Sequence, residues 1–243
     1  MDKAATPAAR LGKRMKSHFA YLAIQALMLL PQAGLRNAAQ FGQSVEFRLW
    51  LDRNFPDQGK YFPTREALWN HLLSEISPVT ELIVFEFGVA YGYTTSWWLK
   101  RSPSIIQWNG YDTFTGLPQN WQHFAKGAFD AGGQPPNIGD ARVQWIIGRV
   151  EETFSFEKHQ LFRNAQENTK SRCIYFFDLD LYNPTKHVMD IILPQLKVGD
   201  ILYFDEAVDL DERRVLVESL EILQSTTRLI GSTPVALALW KNQ

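Results

Sequence analysis

This chain has one cysteine, a formal net charge of −1 and few long apolar runs. Cys173 is the one cysteine among 243 residues, which excludes an internal disulfide framework and a cysteine-based zinc cluster. The 25 Lys and Arg residues nearly balance the 26 Asp and Glu residues. A broad surface that neutralises phosphates is therefore missing, and we expect no nucleic-acid partner, a local basic patch apart.

Several catalytic motifs are also missing. The five histidines show no zinc-binding spacing, and the sequence has neither a G-x-S-x-G turn nor a G-x-x-x-x-G-K-[ST] phosphate loop. The dinucleotide-binding fingerprint requires glycine at three positions, which this sequence fills with Gly88, Ala90 and Tyr93. A nucleotide-dependent oxidoreductase is therefore disfavoured, but it stays an alternative.

The N-terminus is basic and then apolar. An apolar run at residues 19–30, too short to span a membrane, follows five basic residues: Lys3, Arg10, Lys13, Arg14 and Lys16. We interpret the run as a docked or oligomer-forming helix, so we expect a homo-oligomer. The expected location is the cytoplasm. The alternatives are a helix in peripheral contact with a membrane surface and a secretory signal.

The hydrophobic pattern changes from helical to strand-like after Pro78. Helical spacing covers residues 8–30, 43–54 and 64–76. Helical stretches then alternate with short apolar runs, at residues 82–85, 105–108, 143–147, 174–177 and 201–204. These runs predict an α/β fold, with a doubly wound, mostly parallel, Rossmann-like sheet covered by helices on both faces.

The sequence predicts two regions, one of which contains this sheet. Residues 1–77 form a helical N-terminal portion for lid or oligomer contacts, and residues 78–243 form the α/β domain. A strand pair is expected near residues 228–230 and 235–240, with the last as an antiparallel edge segment. The Gly- and Pro-rich stretch Gly116–Arg142 is long enough to be a lid or a binding loop.

Acidic residues follow four predicted strands: Glu86, Asp112, Asp178 and the pair Asp205 and Glu206. Ligands of doubly wound sheets bind beyond the carboxyl ends of the strands. Any single acid at such a place is most often an exposed turn residue or a helix cap. Because the pattern recurs, we expect the four strand ends to form one site.

The first two acids suggest a nucleoside-binding turn. Gly88 permits a tight turn after the strand, and Gly92 permits the close approach of a ligand or of the sheet. Asp112 ends the next strand, where a carboxylate suits hydrogen bonds from both ribose hydroxyls. A plain structural turn and a capping aspartate are the alternatives.

The last acids suggest a metal site. Adjacent parallel strands would bring Asp178 close to Asp205 and Glu206. Clustered carboxylates repel each other unless they are protonated or bridged by a cation, and oxygen ligands suit Mg²⁺. In the alternative interpretation, only one of these acids points inward.

Four motifs in this order resemble a known family: Glu-x-Gly-x-x-x-Gly-x-Thr from Glu86, Tyr-Asp-Thr-Phe-x-Gly-Leu-Pro from Tyr111, Asp-x-Asp-x-Tyr-x-x-Thr from Asp178, and Phe-Asp-Glu from Phe204. The sequence is similar to class I methyltransferases that use S-adenosylmethionine. Within them it most resembles the macrocin O-methyltransferase group, which methylates sugar hydroxyls of glycosylated natural products. The resemblance covers about residues 60–210.

The resemblance implies roles for the site residues. The cofactor, S-adenosylmethionine, would be bound by Glu86, Gly88, Gly92, Asp112, Thr113, Phe114 and Arg149. Asp178 would be the general base. Asp178, Asp205 and Glu206 would bind Mg²⁺. Glu206 stands where the family commonly has a second aspartate, and relatives with Phe-Asp-Glu at this point could work with little or no metal.

Methyl transfer to an oxygen fits these residues. The acceptor would be a small molecule with a hydroxyl group, and a positioned carboxylate would take the proton that the hydroxyl loses. The predicted activity is therefore O-methylation of a sugar or glycosylated small molecule. A methyltransferase-like module that binds without catalysis is the alternative from a different class.

Overall fold

A computed structural model describes four ranges of the chain: 19–56, 59–78, 80–165 and 171–242. The chain divides into two compact units, Met1–Glu46 and Phe47–Gln243. A boundary after residue 77 stays a prediction. The portion before it contains a short strand in addition to its helices.

Nine helices and eight strands follow one another along the described residues of the two units. The helices of the described chain are α1 (19–27), α2 (Gln32–Asn54), α3 (Arg65–Glu75), α4 (Tyr93–Leu99), α5 (Val150–Thr153), α6 (Phe156–Ala165), α7 (Tyr182–Ile192), α8 (Leu210–Glu218) and α9 (Leu220–Thr226), with a 3-10 turn at Leu193–Gln195. The strands are β1 (Lys60–Tyr61), β2 (Leu82–Phe87), β3 (Ile105–Asp112), β4 (Val143–Ile147), β5 (Arg172–Phe177), β6 (Ile201–Phe204), β7 (Thr227–Ser232) and β8 (Leu237–Lys241).

The first unit contains α1 and most of α2. The helix predicted over residues 8–30 is confirmed at α1, and its residues 8–18 lie outside the described ranges. The five basic residues before the apolar run also lie outside them. The apolar side chains of the run are exposed; Phe19 is 76% and Leu29 is 87% exposed. Within the described ranges, no helix has both the length and the apolar character needed to cross a membrane.

The strands form one sheet in the order β1-β7-β8-β6-β5-β2-β3-β4. β8 runs antiparallel to its neighbours β6 and β7, and the other neighbouring pairs are parallel. The predicted fold class, a doubly wound and mostly parallel α/β sheet, is therefore confirmed. The order reverses direction around β2 and β5, where such sheets have their ligand-binding crevice.

The expected antiparallel last strand exists, but its predicted place at the sheet edge is wrong. β8 lies inside the sheet, where Leu237 and Leu239 pack into one core and Ala236 and Ala238 pack into the other. All four side chains are fully buried. The large residues therefore face one buried core and the small residues face the other, and neither face of this segment is exposed.

Two apolar cores cover the two faces of the sheet. In β2, Ile83, Phe85 and Phe87 face one core, while Leu82 and Val84 face the other. Burying each such side chain stabilises the fold by about 1.5–3 kcal/mol relative to exposure. The double-sided burial explains why the parallel strands are nearly continuous apolar runs.

Candidate active site

Five strands end at one rim of the sheet. Glu86 and Asp112 lie in the last residues of β2 and β3, whereas Asp178 and Asp205 directly follow β5 and β6. Backbone hydrogen bonds cross this rim from residues just past one strand to carbonyls of its neighbour, each 2.9 Å between N and O: Gly88 to Tyr111, Asp178 to Phe87 and Asp205 to Phe177. Gly148 donates in the same way to Asp112, at 3.0 Å. The structure therefore brings the ends of β2, β3, β4, β5 and β6 together.

Gly88 is where the turn after β2 meets the turn after β5. Its φ of +88° lies in the left-handed region, and a Cβ there would overlap the carbonyl oxygen of Asp178. Only glycine fits both requirements. The turn can therefore lie against the backbone of Asp178 because position 88 has no side chain.

The remainder of the turn is also left-handed in places. Ala90 has φ +46°, and Gly92 has φ +74° as the N-cap of α4. A Cβ on Gly92 would lie 2.7 Å from Cγ of Pro136. The close approach expected at Gly92 is thus made by the long loop between β3 and β4.

Asp112 organises the turn with its carboxylate. Oδ2 accepts hydrogen bonds from the amides of Val89 and Ala90, both at 2.8 Å, and Oδ1 accepts one from the amide of Phe114, also at 2.8 Å. Each carboxylate oxygen has about two acceptor positions, so Oδ1 keeps one. Hydrogen bonds from both ribose hydroxyls to Asp112 stay a prediction.

The other predicted nucleoside contacts differ in exposure. Phe114 is fully buried, and its ring packs edge-on against Trp145 at 6.0 Å between centroids. The Thr113 hydroxyl accepts a hydrogen bond from the Thr115 hydroxyl at 3.0 Å. Arg149 is the N-cap of α5, and its side chain is 57% exposed, with Nη2 3.9 Å from Oε1 of Glu151. Arg149 is thus the most accessible of these groups.

Glu86 lies inside the sheet layer, beneath the turn. Its Oε2 accepts a hydrogen bond from the Thr95 hydroxyl and one from Nε1 of Trp108, the latter at 2.8 Å. Burial raises the pKa of Glu86 to about 8, although the two hydrogen bonds lower it. Because Thr95 belongs to α4 and Trp108 to β3, Glu86 joins the helix after the turn to the sheet.

Five carboxyl side chains interact beyond β5 and β6, and we call them the acidic cluster: Asp178, Asp180, Asp205, Glu206 and Glu212. Burial, and then the charge of Asp205, raises the pKa of Asp178 well above its usual range. The same two causes raise the pKa of Asp180 to about 7 and that of Glu206 to about 8. The carboxyl groups of the cluster therefore influence each other's titration.

Glu212 was not identified from the sequence. It is fully buried in α8, and its Oε2 accepts a hydrogen bond from the Glu206 amide at 3.2 Å. Its Oε1 has no hydrogen-bond partner among the described residues. Burial, and next the charge of Asp178, raises the pKa of Glu212 well above its usual range. A buried glutamate in the first turn of a helix resembles an ordinary dipole-stabilising acid, so sequence alone does not mark it.

Arg65, the first residue of α3, faces the acidic cluster. Its Nη1 lies 2.7 Å from Oδ2 of Asp205, and its Nη2 lies 4.0 Å from Oε1 of Glu206. Sequence reasoning missed this residue. A signal was available, because positive charge is disfavoured at a helix N-terminus unless something else holds it there.

The predicted magnesium site does not fit this arrangement. Asp178, Asp205 and Glu206 share the rim, but the Arg65 guanidinium already binds Asp205 and extends toward Glu206. Within the described ranges, no group of three His, Cys, Asp or Glu residues is arranged to hold a metal ion. A guanidinium on the expected ligand would repel a divalent cation.

The long loop between β3 and β4 folds back next to the acidic cluster. Nε1 of Trp121 donates to Oδ1 of Asp209 at 3.3 Å, and Nε2 of Gln122 donates to Oδ2 of Asp209 at 2.8 Å. Trp121 also packs with Leu117 and with Leu181, which follows Asp180 directly. The loop thus has a defined contact with the rim, as a lid or binding loop requires.

The strand order, with an antiparallel strand inserted next to β6, is that of a doubly wound, Rossmann-like sheet. The O-methyltransferase NovP is a solved structure similar to this chain, with 13% identity over 74% of this chain and 78% of that chain, and a TM-score of 0.50. At this identity the likeness concerns the fold.

Other comparisons gave TM-scores below 0.50 or found no match. CalS11, a calicheamicin methyltransferase, is 20% identical over 98% of this chain and 94% of that chain, with a TM-score of 0.49. An apo structure of CalS11, described as a TDP-rhamnose 3'-O-methyltransferase, is 20% identical over 98% and 96%, with a TM-score of 0.44. No protein-family model and no curated protein matches the sequence.

Proposed function

We propose that the protein is an S-adenosylmethionine-dependent O-methyltransferase that methylates a hydroxyl group of a sugar or glycosylated small molecule in natural-product biosynthesis. The observation that carries the proposal is the rim itself. It places the Gly88 turn next to Asp112 and Asp178, at the end of the sheet where doubly wound folds bind ligands. The fold that the chain shares with NovP, an O-methyltransferase, supports it.

The turn after β2 suits an adenosyl ligand. Asp112 holds the amides of Val89 and Ala90 and keeps one acceptor position on Oδ1 for a ribose hydroxyl. The side chain of Arg149, which the resemblance implies in cofactor binding, is accessible beyond β4. When bound, S-adenosylmethionine would supply a methyl group that its sulfonium already activates.

Asp178 is our candidate for the general base. An alcohol is a poor nucleophile until it loses its proton, and a positioned carboxylate that accepts this proton accelerates the reaction by about 10²–10⁴-fold. Burial raises the pKa of Asp178, which makes it a stronger base than an exposed aspartate. No step of this mechanism runs through a metal ion.

Calorimetry with S-adenosylmethionine and S-adenosylhomocysteine tests the proposal. We expect both to bind the purified chain, and the absence of binding to either would contradict the proposal. Cofactor binding without methylation across a broad panel of sugars and glycosides would favour the non-catalytic binding module. Binding of NAD(H) instead would favour the oxidoreductase alternative.

The homo-oligomer and the peripheral membrane contact stay predictions. Both require an accessible apolar surface at residues 19–30, and the described side chains of this run are exposed. Light scattering of the full chain and of a variant lacking residues 1–30 would test self-association. Sedimentation with anionic vesicles would test membrane contact.

A further inference from the structure

Arg65, the first residue of α3, contacts Asp205 and lies close to Glu206, two of the three residues to which the resemblance assigns a metal ion. We propose that Arg65 is a fixed cation that replaces the divalent metal of the site and positions Asp205 and Glu206 next to Asp178. This assignment deepens the proposed function and rests on it for the nature of the acceptor. Arg65 acts here as a positioning residue, through the carboxylates that it holds.

The contacts of Asp205 carry the proposal. Oδ2 binds Nη1 of Arg65 at 2.7 Å, and Oδ1 accepts a hydrogen bond from the Tyr203 hydroxyl at 3.0 Å. The Asp205 side chain is only 6% exposed, so water competes little for these contacts. Protein groups therefore engage both oxygens of the residue that the resemblance presents as a metal ligand.

Arg65 is held in place by the helix that it begins. The hydroxyl of Thr64 caps α3 by accepting from the amide of Ala67 at 3.2 Å, and Leu68 and Trp69 anchor the helix in the core. The next residue, Glu66, accepts a hydrogen bond from the hydroxyl of Tyr93 at 2.9 Å, which joins the start of α3 to the start of α4. The backbone that carries Arg65 is thus held relative to α4, and the ion pair with Asp205 holds its guanidinium.

Glu206 agrees with a guanidinium partner better than with a small ion. Mg²⁺ requires nearly octahedral oxygen ligands at about 2.0–2.1 Å, which demands tight placement of each carboxylate. Glu206 is one methylene longer than the aspartate that the resemblance implies, and its Oε1 reaches to 4.0 Å from Nη2 of Arg65. At this distance the guanidinium attracts Glu206 through charge without a hydrogen bond, whereas Mg²⁺ would need direct contact with the oxygen.

Binding of Mn²⁺ to the full chain, followed by electron paramagnetic resonance, tests the assignment without cofactor or acceptor. We expect no stoichiometric binding by the wild type or by Arg65→Lys, which keeps the positive charge. Arg65→Ala should bind Mn²⁺ more than about tenfold tighter than the wild type, because a repelling charge is gone. Arg48→Ala, in an exposed pair with Asp52, is the matched control and should bind like the wild type.

Two outcomes would overturn the assignment. One is stoichiometric Mn²⁺ binding by the wild type that Asp205→Asn abolishes. The other is a folded Arg65→Ala variant, by circular dichroism, with no gain in Mn²⁺ affinity. If S-adenosylmethionine does not bind but the Mn²⁺ results are as expected, the proposed function fails while the fixed cation stands.

Activity provides the second measurement once an acceptor is known. The wild-type rate should not change when EDTA removes divalent ions. Arg65→Ala should lose most of its activity in EDTA, and Mg²⁺ should restore part of it, whereas a purely structural residue would show no metal-dependent rescue. A wild-type rate that falls in EDTA and recovers with Mg²⁺ would overturn the assignment.

Discussion

At the scale of single residues, the candidate site depends on which atoms are present and which are missing. Gly88 lets two turns touch because it has no Cβ, and Asp112 holds one of those turns through the backbone amides of Val89 and Ala90. Asp178 follows β5 directly and shares its surroundings with four other acids. Each of these features can be changed by one substitution.

Gly88→Ala should destabilise the protein strongly. The new Cβ would meet backbone at Asp178, which cannot move as a flexible side chain would. Gly127→Ala is the matched control, because Gly127 has a similar φ of +85° but nothing within 4 Å of an added Cβ. We expect a loss of about 1–2 kcal/mol in unfolding free energy for Gly127→Ala, from left-handed strain alone.

The Gly88 variant should lose clearly more, at least about 3 kcal/mol, because overlap with fixed backbone is added to the strain. Urea unfolding measures both variants, and calorimetry should show weakened S-adenosylmethionine binding for Gly88→Ala alone. Equal losses for the two variants would show that the contact with Asp178 does not constrain the turn.

Asp178→Asn should lower turnover by about 10²–10⁴-fold, because an amide cannot accept the acceptor's proton. Cofactor affinity should remain close to that of the wild type. Asp190→Asn removes an exposed carboxylate paired with Lys186 on α7 and serves as the control. Steady-state kinetics and calorimetry give the two readouts. Full activity of Asp178→Asn would remove this residue from the mechanism.

At the scale of elements, the long loop and the start of α8 meet next to the site. Asp209 caps α8 by accepting from the Asp211 amide at 2.9 Å, and it also accepts the two side-chain hydrogen bonds of the loop. One carboxylate therefore fixes both elements. The hydrogen bond from Gln122 lies at the exposed side of this contact, whereas Trp121 is buried.

Gln122→Ala should loosen the loop without unfolding the protein. The variant loses one hydrogen bond, worth about 1 kcal/mol, so amide exchange within residues 115–130 should rise about fivefold. Gln119→Ala changes an exposed residue of the same loop and should leave exchange unaltered. Hydrogen exchange with mass spectrometry compares the two. Unchanged exchange in Gln122→Ala would mean that the bond to Asp209 does not hold the loop.

At the scale of the whole molecule, buried carboxyl groups couple the fold to pH. Burial raises the pKa of Glu86 to about 8, above the 4.5 of an ordinary glutamate. Between these two pH values the folded state binds more protons than the unfolded state, so the unfolding free energy falls as pH rises. The contribution of Glu86 is fully present below pH 4.5 and is lost as pH passes about 8.

Glu86→Gln should remove much of this dependence. The amide stays neutral at every pH and keeps an oxygen that can accept from Thr95 and Trp108. From about pH 5 to about pH 9, the wild type should lose roughly 2–5 kcal/mol more unfolding free energy than the variant. Urea unfolding at several pH values measures this difference, with the exposed Glu221→Gln as control. Parallel profiles for wild type and Glu86→Gln would show that Glu86 is not the group responsible.

Much of the fold was predictable because it depends on local patterns. The apolar runs matched β4 and β6 at both ends and identified β2, β3 and β5. Central strands such as β2, β5 and β6 are buried on both faces and are therefore apolar along their length. The gathering of Asp112, Asp178 and Asp205 followed from the same reasoning, because parallel strands share their carboxyl-end rim. The place of β8 was not predictable, because alternating Leu and Ala fits an edge strand as well as two buried faces.

The sequence by itself determined which strands carry an acid at their carboxyl ends, since those residues are adjacent to their strands in the chain. The pairing of Arg65 with Asp205, and its approach to Glu206, arises only when the chain folds. Arg65 is more than a hundred residues from Asp178 and Asp205, and no local pattern relates their positions. The hydrogen bonds from the amides of Val89 and Ala90 to Asp112 likewise form only once the turn after β2 has folded against β3.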